Sequence, residues 1–388
     1  MRIALVGPTY PYRGGIAHYT TMLYEALCKR GHDVHLISFS RQYPAWLYPG
    51  QSDKDPSAQP LQPEKVTYSL DSLNPLTWLS TFLTLRRLRP DAVILSWWTP
   101  FWAPAWFVLG NLIRWGLRRP LLFLCHNVLP HEPRFWDRWL AKLVLSRGTG
   151  FIVQSQEERD RLMDLLSKAN VSVVPHPVYD MFTSSEISKA EARALLKIPS
   201  TAPLLLFFGI IREYKGLMDL LEAMPEIRRR TPETRLVVAG EFWDSKISYF
   251  ERVESLGLGE SVRFDDRYIP NEEVPLYFRA ADLVVAPHRR ITGSGVVQMA
   301  VGFRRPLVTT LNWLSEEQQA PPSYLVVPPN NSQAIAGAVS DFFARSVDIR
   351  EDQAAEDLRG VFSWERLVNA FEELQSTDVK RRDTRVRL

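Results

Sequence analysis

Short apolar runs alternate with amphipathic segments nearly from end to end of the chain. In the first half, the runs at 2–6, 33–38, 92–96, 121–125, 150–154 and 171–174 predict strands. Between the first two, Tyr19, Met22, Leu23, Ala26 and Leu27 follow the i, i+3, i+4, i+7, i+8 spacing of a helix laid on a sheet, which Gly31 then closes. The second half restarts the pattern with strands at Leu204–Phe208, Arg235–Ala239, Val262–Phe264, Leu283–Ala286, Leu307–Thr309 and Leu325–Val327. Leu217, Leu220, Leu221, Met224 and Ile227 are in helical register after the first of these. Buried strands separated by helices imply parallel sheets covered on both faces. Two such runs predict an α/β protein of two Rossmann-like, doubly wound parallel-sheet domains facing a central cleft.

The expected boundaries are 1–178, 179–361 and 362–388. The join is the proline-stiffened Val174-Pro175-His176-Pro177-Val178, followed by a polar helix to about Lys197. The last piece opens on a helix capped by Ser363, expected to cross back to the N-terminal domain, and closes on the basic run 380–387, read as a disordered tail.

Composition agrees with this picture. At roughly 100–200 residues per domain, 388 residues make two or three. With 45% hydrophobic and 23% charged residues, the chain is not a collagen, a coiled coil or a disordered polymer. Lys+Arg 47 against Asp+Glu 44 excludes a dedicated nucleic-acid binder. Cys28 and Cys125 are too few for a disulfide framework or a zinc cage; both sit in apolar stretches and are expected to be buried in a cytoplasmic, reducing setting. Four apolar residues precede Gly7, fewer than the roughly 7–15 of a secretory signal, so a strand is expected there. No run of about 18 apolar residues predicts a membrane span.

Ligands of open parallel sheets bind beyond the carboxyl ends of the strands, and four motifs fall there. The first, Gly7 to Ile16, holds Gly14-Gly15 ahead of a helix start, which suits close approach by an anion. It is not GxGxxG and lacks the acidic residue of a dinucleotide fingerprint, which counts against a dehydrogenase. Its Tyr12 and Arg13 are candidate acceptor contacts. The second, Cys125 to Glu132, places His126 at a strand's end, where it can hydrogen-bond a sugar hydroxyl. His131 is a further acceptor candidate, and His126, His131 and Glu132 lack the helical spacing of HExxH, so no metal is assigned. The third, Phe208 to Gly216, carries Gly209, Arg212 and Lys215 beside a helix start, which suits a diphosphate. The fourth, Pro287 to Gln298, presents Thr292, Gly293, Ser294 and Gly295 as backbone donors to phosphate, with Gln298 one turn inside the helix towards a ribose.

These four motifs together resemble the GT-B glycosyltransferases, specifically the retaining family 4 group, over nearly the whole chain. The resemblance implies an N-terminal acceptor domain, a C-terminal nucleotide-sugar donor domain and a diphosphate held by Arg212 and Lys215. His126 would support the sugar during front-face, metal-free transfer, and Gly14 and Gly15 would line the cleft. Two positions depart from the family pattern. Ile210 stands at its usual arginine, so Arg212 must reach in instead. Its E-x7-E pair aligns with Arg290 and Gln298; Gln298 can still bond a hydroxyl, whereas Arg290 cannot act as a carboxylate. Asp53-Lys54-Asp55 lies in a polar, proline-bearing stretch and is read as a solvated loop, not a metal-binding D-x-D.

The expected partners are a nucleotide-diphosphate sugar, UDP or GDP, and a glycan, polysaccharide or lipid-linked acceptor. No cofactor and no nucleic acid are expected. The stretch from Trp97 to Arg119 is rich in tryptophan and arginine, which suits either a core helix or a membrane interface at the inner face, with Trp97 and Trp98 as candidate acceptor contacts. Two rival readings remain open: a GT-B shell that binds nucleotide without turnover, and a sugar-nucleotide epimerase.

Overall fold

The computed structural model describes residues 1–130, 134–290, 293–310, 323–345 and 359–386, the last eight by backbone only. The chain divides into two compact units, one of 1–55, 60–175 and 363–388, the other of 56–59 and 176–362.

The first unit is built on seven parallel strands: β1 (Arg2–Val6), β2 (Asp33–Arg41), β3 (Val66–Asp71), β4 (Ala92–Trp97), β5 (Leu121–Cys125), β6 (Gly150–Val153) and β7 (Val171–Val173), in the order β3-β2-β1-β4-β5-β6-β7. β1, β4, β5 and β6 are buried almost throughout, as central strands covered on both faces must be. α1 (Gly15–Lys29) connects β1 to β2. On one face of the sheet, a single cluster gathers Phe82 and Leu85 of α2 (Pro75–Leu88), Trp106 and Leu109 of α3 (Ala103–Asn111), and Ala141, Val144 and Leu145 of α4 (Asp137–Leu145). α3 continues as a π-helical turn, Leu112–Leu117. α5 (Gln156–Leu165) joins β6 to β7.

The second unit has six parallel strands: β8 (Leu204–Phe208), β9 (Arg235–Ala239), β10 (Val262–Asp265), β11 (Leu283–Ala286), β12 (Leu307–Thr309) and β13 (Tyr324–Val326), in the order β10-β9-β8-β11-β12-β13. After α6 (Lys189–Leu195), the helix α7 (Leu217–Arg230) seats Leu217, Leu220, Leu221, Met224 and Ile227 in the core, all fully buried as their spacing predicts. α8 (Ile247–Ser255), α9 (Val274–Ala280), α10 (Gly295–Gly302) and α11 (Ser332–Arg345) complete the unit.

The last helix, α12 (Trp364–Val386), packs on α1 and β6 of the first unit. Ser363 Oγ accepts from Arg366 N at 3.3 Å, the expected cap. Arg30 reaches Asn369 and Glu372 at 2.8 and 3.2 Å, and His32 meets Glu372 at 3.0 Å.

One strand, β3, is not among those expected, and three expectations are corrected. β3 carries no uniform apolar run; as an edge strand it is only half-buried and keeps Thr67, Tyr68 and Ser69. Cys28 is exposed on the outer side of α1, while Cys125 is buried as expected. The basic run from Lys380 continues α12 as helix to Val386 instead of forming a coil. Asp53-Lys54-Asp55 is no solvated loop: Asp55 N donates to Pro11 O at 2.9 Å, Asp53 O accepts from Arg13 N at 3.1 Å, and Lys54 Nζ sits 3.6 Å above the Tyr12 ring.

Candidate functional site

In the six-stranded sheet, the chain runs outward from β8 to β10 on one side and from β11 to β13 on the other, so strand order reverses between β8 and β11. Such a switch point opens a crevice where two adjacent loops diverge. The loops after β8 and β11 hold the third and fourth motifs.

Backbone geometry brings these two loops together. Gly209 leaves β8 at φ +95, and a Cβ there would stand 3.2 Å from Val296 of α10 and 3.9 Å from Lys215 Nζ. Gly216 has φ +74, and a Cβ on it would fall 2.0 Å from Pro287 O, so only glycine lets the β8 loop lie against the β11 loop. Tyr214 O accepts from Arg289 N at 2.7 Å, closing the same seam. At the start of α10, Gly295 rests on the Tyr179 ring, 3.0 Å from where its Cβ would be.

The basic groups at this seam differ sharply. Arg289 is clamped by Asp219, the third residue of α7, at 2.7 and 2.8 Å, and lies 3.3 Å from Glu213. Arg212 is part-exposed, 4.0 Å from Asp244, with its guanidinium over the Tyr214 ring. Among the described residues Lys215 pairs with no acid; desolvation of its ammonium and the nearby Arg212 push its pKa down to about 8. Beside it, the first helical hydrogen bond of α10 runs from Gln298 N to Ser294 O at 3.2 Å, which leaves the N–H groups of Gly295, Val296 and Val297 ahead of it as the donors of a helix start. Ser294 Oγ and Gln298 Oε1 are both buried and, among the described residues, have no hydrogen-bond partner. A cation, a helix start and two unanswered buried oxygens suit an anionic, hydroxyl-bearing ligand.

Gly293 and Gly295 flank Ser294 at this start, half-buried. Gln298 is more enclosed than a residue on an open surface, at 1% exposure. Arg290 is exposed. Thr292 and His131 lie outside the described residues. Sequence reading missed Asp219, Arg289 and Tyr179, whose roles depend on partners distant in the chain.

In the first unit, Gly14 precedes α1 at φ +108, and neither Gly14 nor Gly15 has an atom within 4 Å of its Cβ position. Backbone conformation alone therefore demands glycine at 14, and nothing steric demands it at 15. Arg13 donates from Nε to Tyr48 Oη at 3.2 Å and stacks on that ring. His126 follows β5, with its N–H donating to Trp97 O at 2.8 Å, its ring edge-on to Tyr19 and Nδ1 3.4 Å from Gln154 Nε2. Buried Glu158 accepts from Val128 N and from Arg161, which pins the His126 loop; burial raises its pKa.

Three proposed acceptor contacts are corrected. Tyr12 is 1% exposed, its ring edge-on to Phe39. Trp97 is fully buried and donates from Nε1 to Val128 O at 3.1 Å. Trp98 donates to Tyr43 Oη at 2.8 Å within a cluster with Trp102 and Trp106. Trp97 and Trp98 can sit in the core because their ring N–H groups find acceptors inside it.

Among the described residues no helix is long and apolar enough to cross a membrane. Residues 14–177 match the family described as Glycosyl transferase 4-like domain, and residues 202–345 match Glycosyl transferases group 1. The chain is 28% identical over 338 residues, 76% of its length, to 80% of a D-inositol 3-phosphate glycosyltransferase of Frankia alni. Among solved structures, it is similar to sucrose-phosphate synthase of Thermosynechococcus elongatus, with a TM-score of 0.68 at 20% identity, covering 98% of this chain and 99% of that one. It is also similar to HepE of Anabaena in complex with UDP, with a TM-score of 0.71 at 17% identity, covering 97% and 100%.

Proposed function

The chain belongs to the GT-B glycosyltransferases of the group 1, family 4-like kind, and we propose that it moves a sugar with retention of configuration from a nucleoside-diphosphate sugar to a polysaccharide, glycan or lipid-linked acceptor. The observation that carries this reading is Lys215. A half-buried ammonium with its pKa pushed down to about 8 and, among the described residues, no acid paired with it is answered by a diphosphate. The N–H groups at the start of α10 add donors to the same anion, and Ser294 and Gln298 are the oxygens left for hydroxyls of the nucleotide.

In the transfer, the bond from the anomeric carbon to the diphosphate oxygen breaks and the acceptor oxygen bonds that carbon on the same face. The acceptor's proton passes to the departing phosphate. Lys215, Arg212 and the helix-start amides stabilise the charge that grows on that phosphate, each donor of this kind being worth about 10²–10³ in rate. This chemistry calls on no metal. His126 is assigned to a hydroxyl of the transferred sugar, and Gly14 and Gly15 to its approach. UDP and UDP-glucose in complexes of HepE make a uridine-diphosphate sugar the first donor to try.

A thermal-shift panel of nucleoside diphosphates and their sugars tests the reading. One base raises the melting midpoint, and its sugar is slowly hydrolysed in the absence of acceptor, a reaction that Lys215→Ala slows about 10²–10³-fold. No shift with any member, or equal hydrolysis by the variant, overturns it.

A further inference from the structure

Helix α2 is apolar on two opposite stripes. Trp78, Phe82 and Leu85 face the core, while Leu76, Leu79 and Leu83 stand on the other side at 76%, 50% and 44% exposure. A helix apolar all round is normally covered all round. The open stripe continues onto its neighbours: the π-helical turn sits against Phe82 through Gly116 and exposes Trp115 at 69%, and α4, packed beside α3, exposes Trp139 at 64%.

The charge on this layer has one sign. From Ser72 to Pro130 the chain holds six arginines and a single acid, Asp91, which is engaged by Arg2 N at 2.8 Å. The one described acid of α4, Asp137, is buried and accepts from Arg134 N. Arg86, Arg119, Arg138 and Lys142 are exposed and, among the described residues, make no ion pair.

We propose that the outer face of α2, α3 and α4 docks on the surface of an anionic lipid bilayer. Tryptophan and leucine enter the boundary between headgroups and chains while arginines meet the phosphates, a combination that lies on a membrane without spanning it. A second copy of the chain is a poor occupant, because it would set against each other two basic faces that, among the described residues, expose no acid. The inference extends the acceptor side of the reading above to a membrane-borne acceptor, and the two fail separately.

The test is co-sedimentation of the full chain with phosphatidylcholine vesicles, with and without phosphatidylglycerol. The chain binds the anionic vesicles at low salt and leaves them at high salt. Trp115→Ala combined with Leu83→Ser, both at exposed positions, weakens binding about tenfold or more. Arg86→Gln with Arg119→Gln weakens it about fivefold per charge. Circular dichroism of the variants matches the parent, and donor hydrolysis in solution is unchanged. Absence of binding to anionic vesicles at low salt, or binding indifferent to both variants, overturns the proposal. So does a concentration-dependent dimer that the same variants dissolve. Loss of hydrolysis alone leaves the bilayer result standing and counts against the donor reading.

Discussion

The loop after β5 and the loop after β8 both leave fully buried strands, yet their polar groups are treated in opposite ways. Around His126, Val128 N goes to Glu158, Val128 O to Trp97 and the imidazole to Tyr19 and Gln154. Around Lys215, among the described residues, the half-buried ammonium has no acid paired with it and two buried oxygens of the neighbouring helix start have no donor. The first loop is organised by protein contacts; the second leaves polar groups that suit the proposed ligand. Positive charge alone does not mark the second loop, since Arg289 at the same seam is also cationic and is neutralised by Asp219. A cation without an acid partner among the described residues is what singles out Lys215 for the proposed diphosphate contact.

The largest effect should come from Lys215. Lys215→Ala lowers transfer or donor hydrolysis by about 10²–10³, while its melting midpoint stays at or above the parent's, because a disfavoured buried charge has been removed. Retention of activity within threefold of the parent, about 0.7 kcal/mol, would erase the contrast between the loops.

Next is the seam that holds the loops after β8 and β11 together. Gly216→Ala forces a Cβ onto Pro287 O at positive φ and costs about 2–4 kcal/mol in urea unfolding. Gly15→Ala, with open space around it, stays within about 0.5 kcal/mol. Equal costs would mean that the glycines of the two units do the same work.

A pH series sharpens the comparison further. Lys215 titrates near 8 in the folded protein and near 10.5 when unfolded, so between those values the unfolded chain holds the proton and the folded one does not. Its contribution makes the ligand-free protein more stable as pH rises through that window, whereas nucleoside-diphosphate affinity falls above about pH 8. Thermal melts and binding isotherms check both slopes, and Lys215→Met flattens both.

The smallest effect belongs to the clamped arginine. Arg289→Gln frees Asp219 and loosens the seam, lowering donor affinity by less than about tenfold, the factor that 1.4 kcal/mol represents. A loss as large as that of Lys215→Ala would make Arg289 the diphosphate ligand instead.

How much of this was legible in the sequence depends on how local each signal is. Leu204–Phe208 and Leu283–Ala286 announce buried strands by themselves, and the loops behind them follow from the rule for parallel sheets. Val66–Asp71 does not, because an edge strand needs apolar side chains on only part of its length. The glycines at 209 and 216 could be read as loop punctuation, but the carbonyl that excludes a side chain at 216 belongs to Pro287, far along the chain. The Asp219–Arg289 pair was illegible for the same reason, and it decides which cation stays free. The tryptophans from 97 to 106 were ambiguous between core and surface; only the sheet shows that their ring nitrogens turn inward, while Trp115 turns out.

The most direct measurement is the proton balance of nucleoside-diphosphate binding, taken by isothermal titration calorimetry at pH 8 in buffers of different ionisation enthalpy. With Lys215 half-deprotonated in the free protein and fully charged against the diphosphate, binding takes up close to half a proton, and Lys215→Met binds weakly with no uptake. Binding of equal strength by parent and variant, with no proton taken up by either, would contradict the assignment.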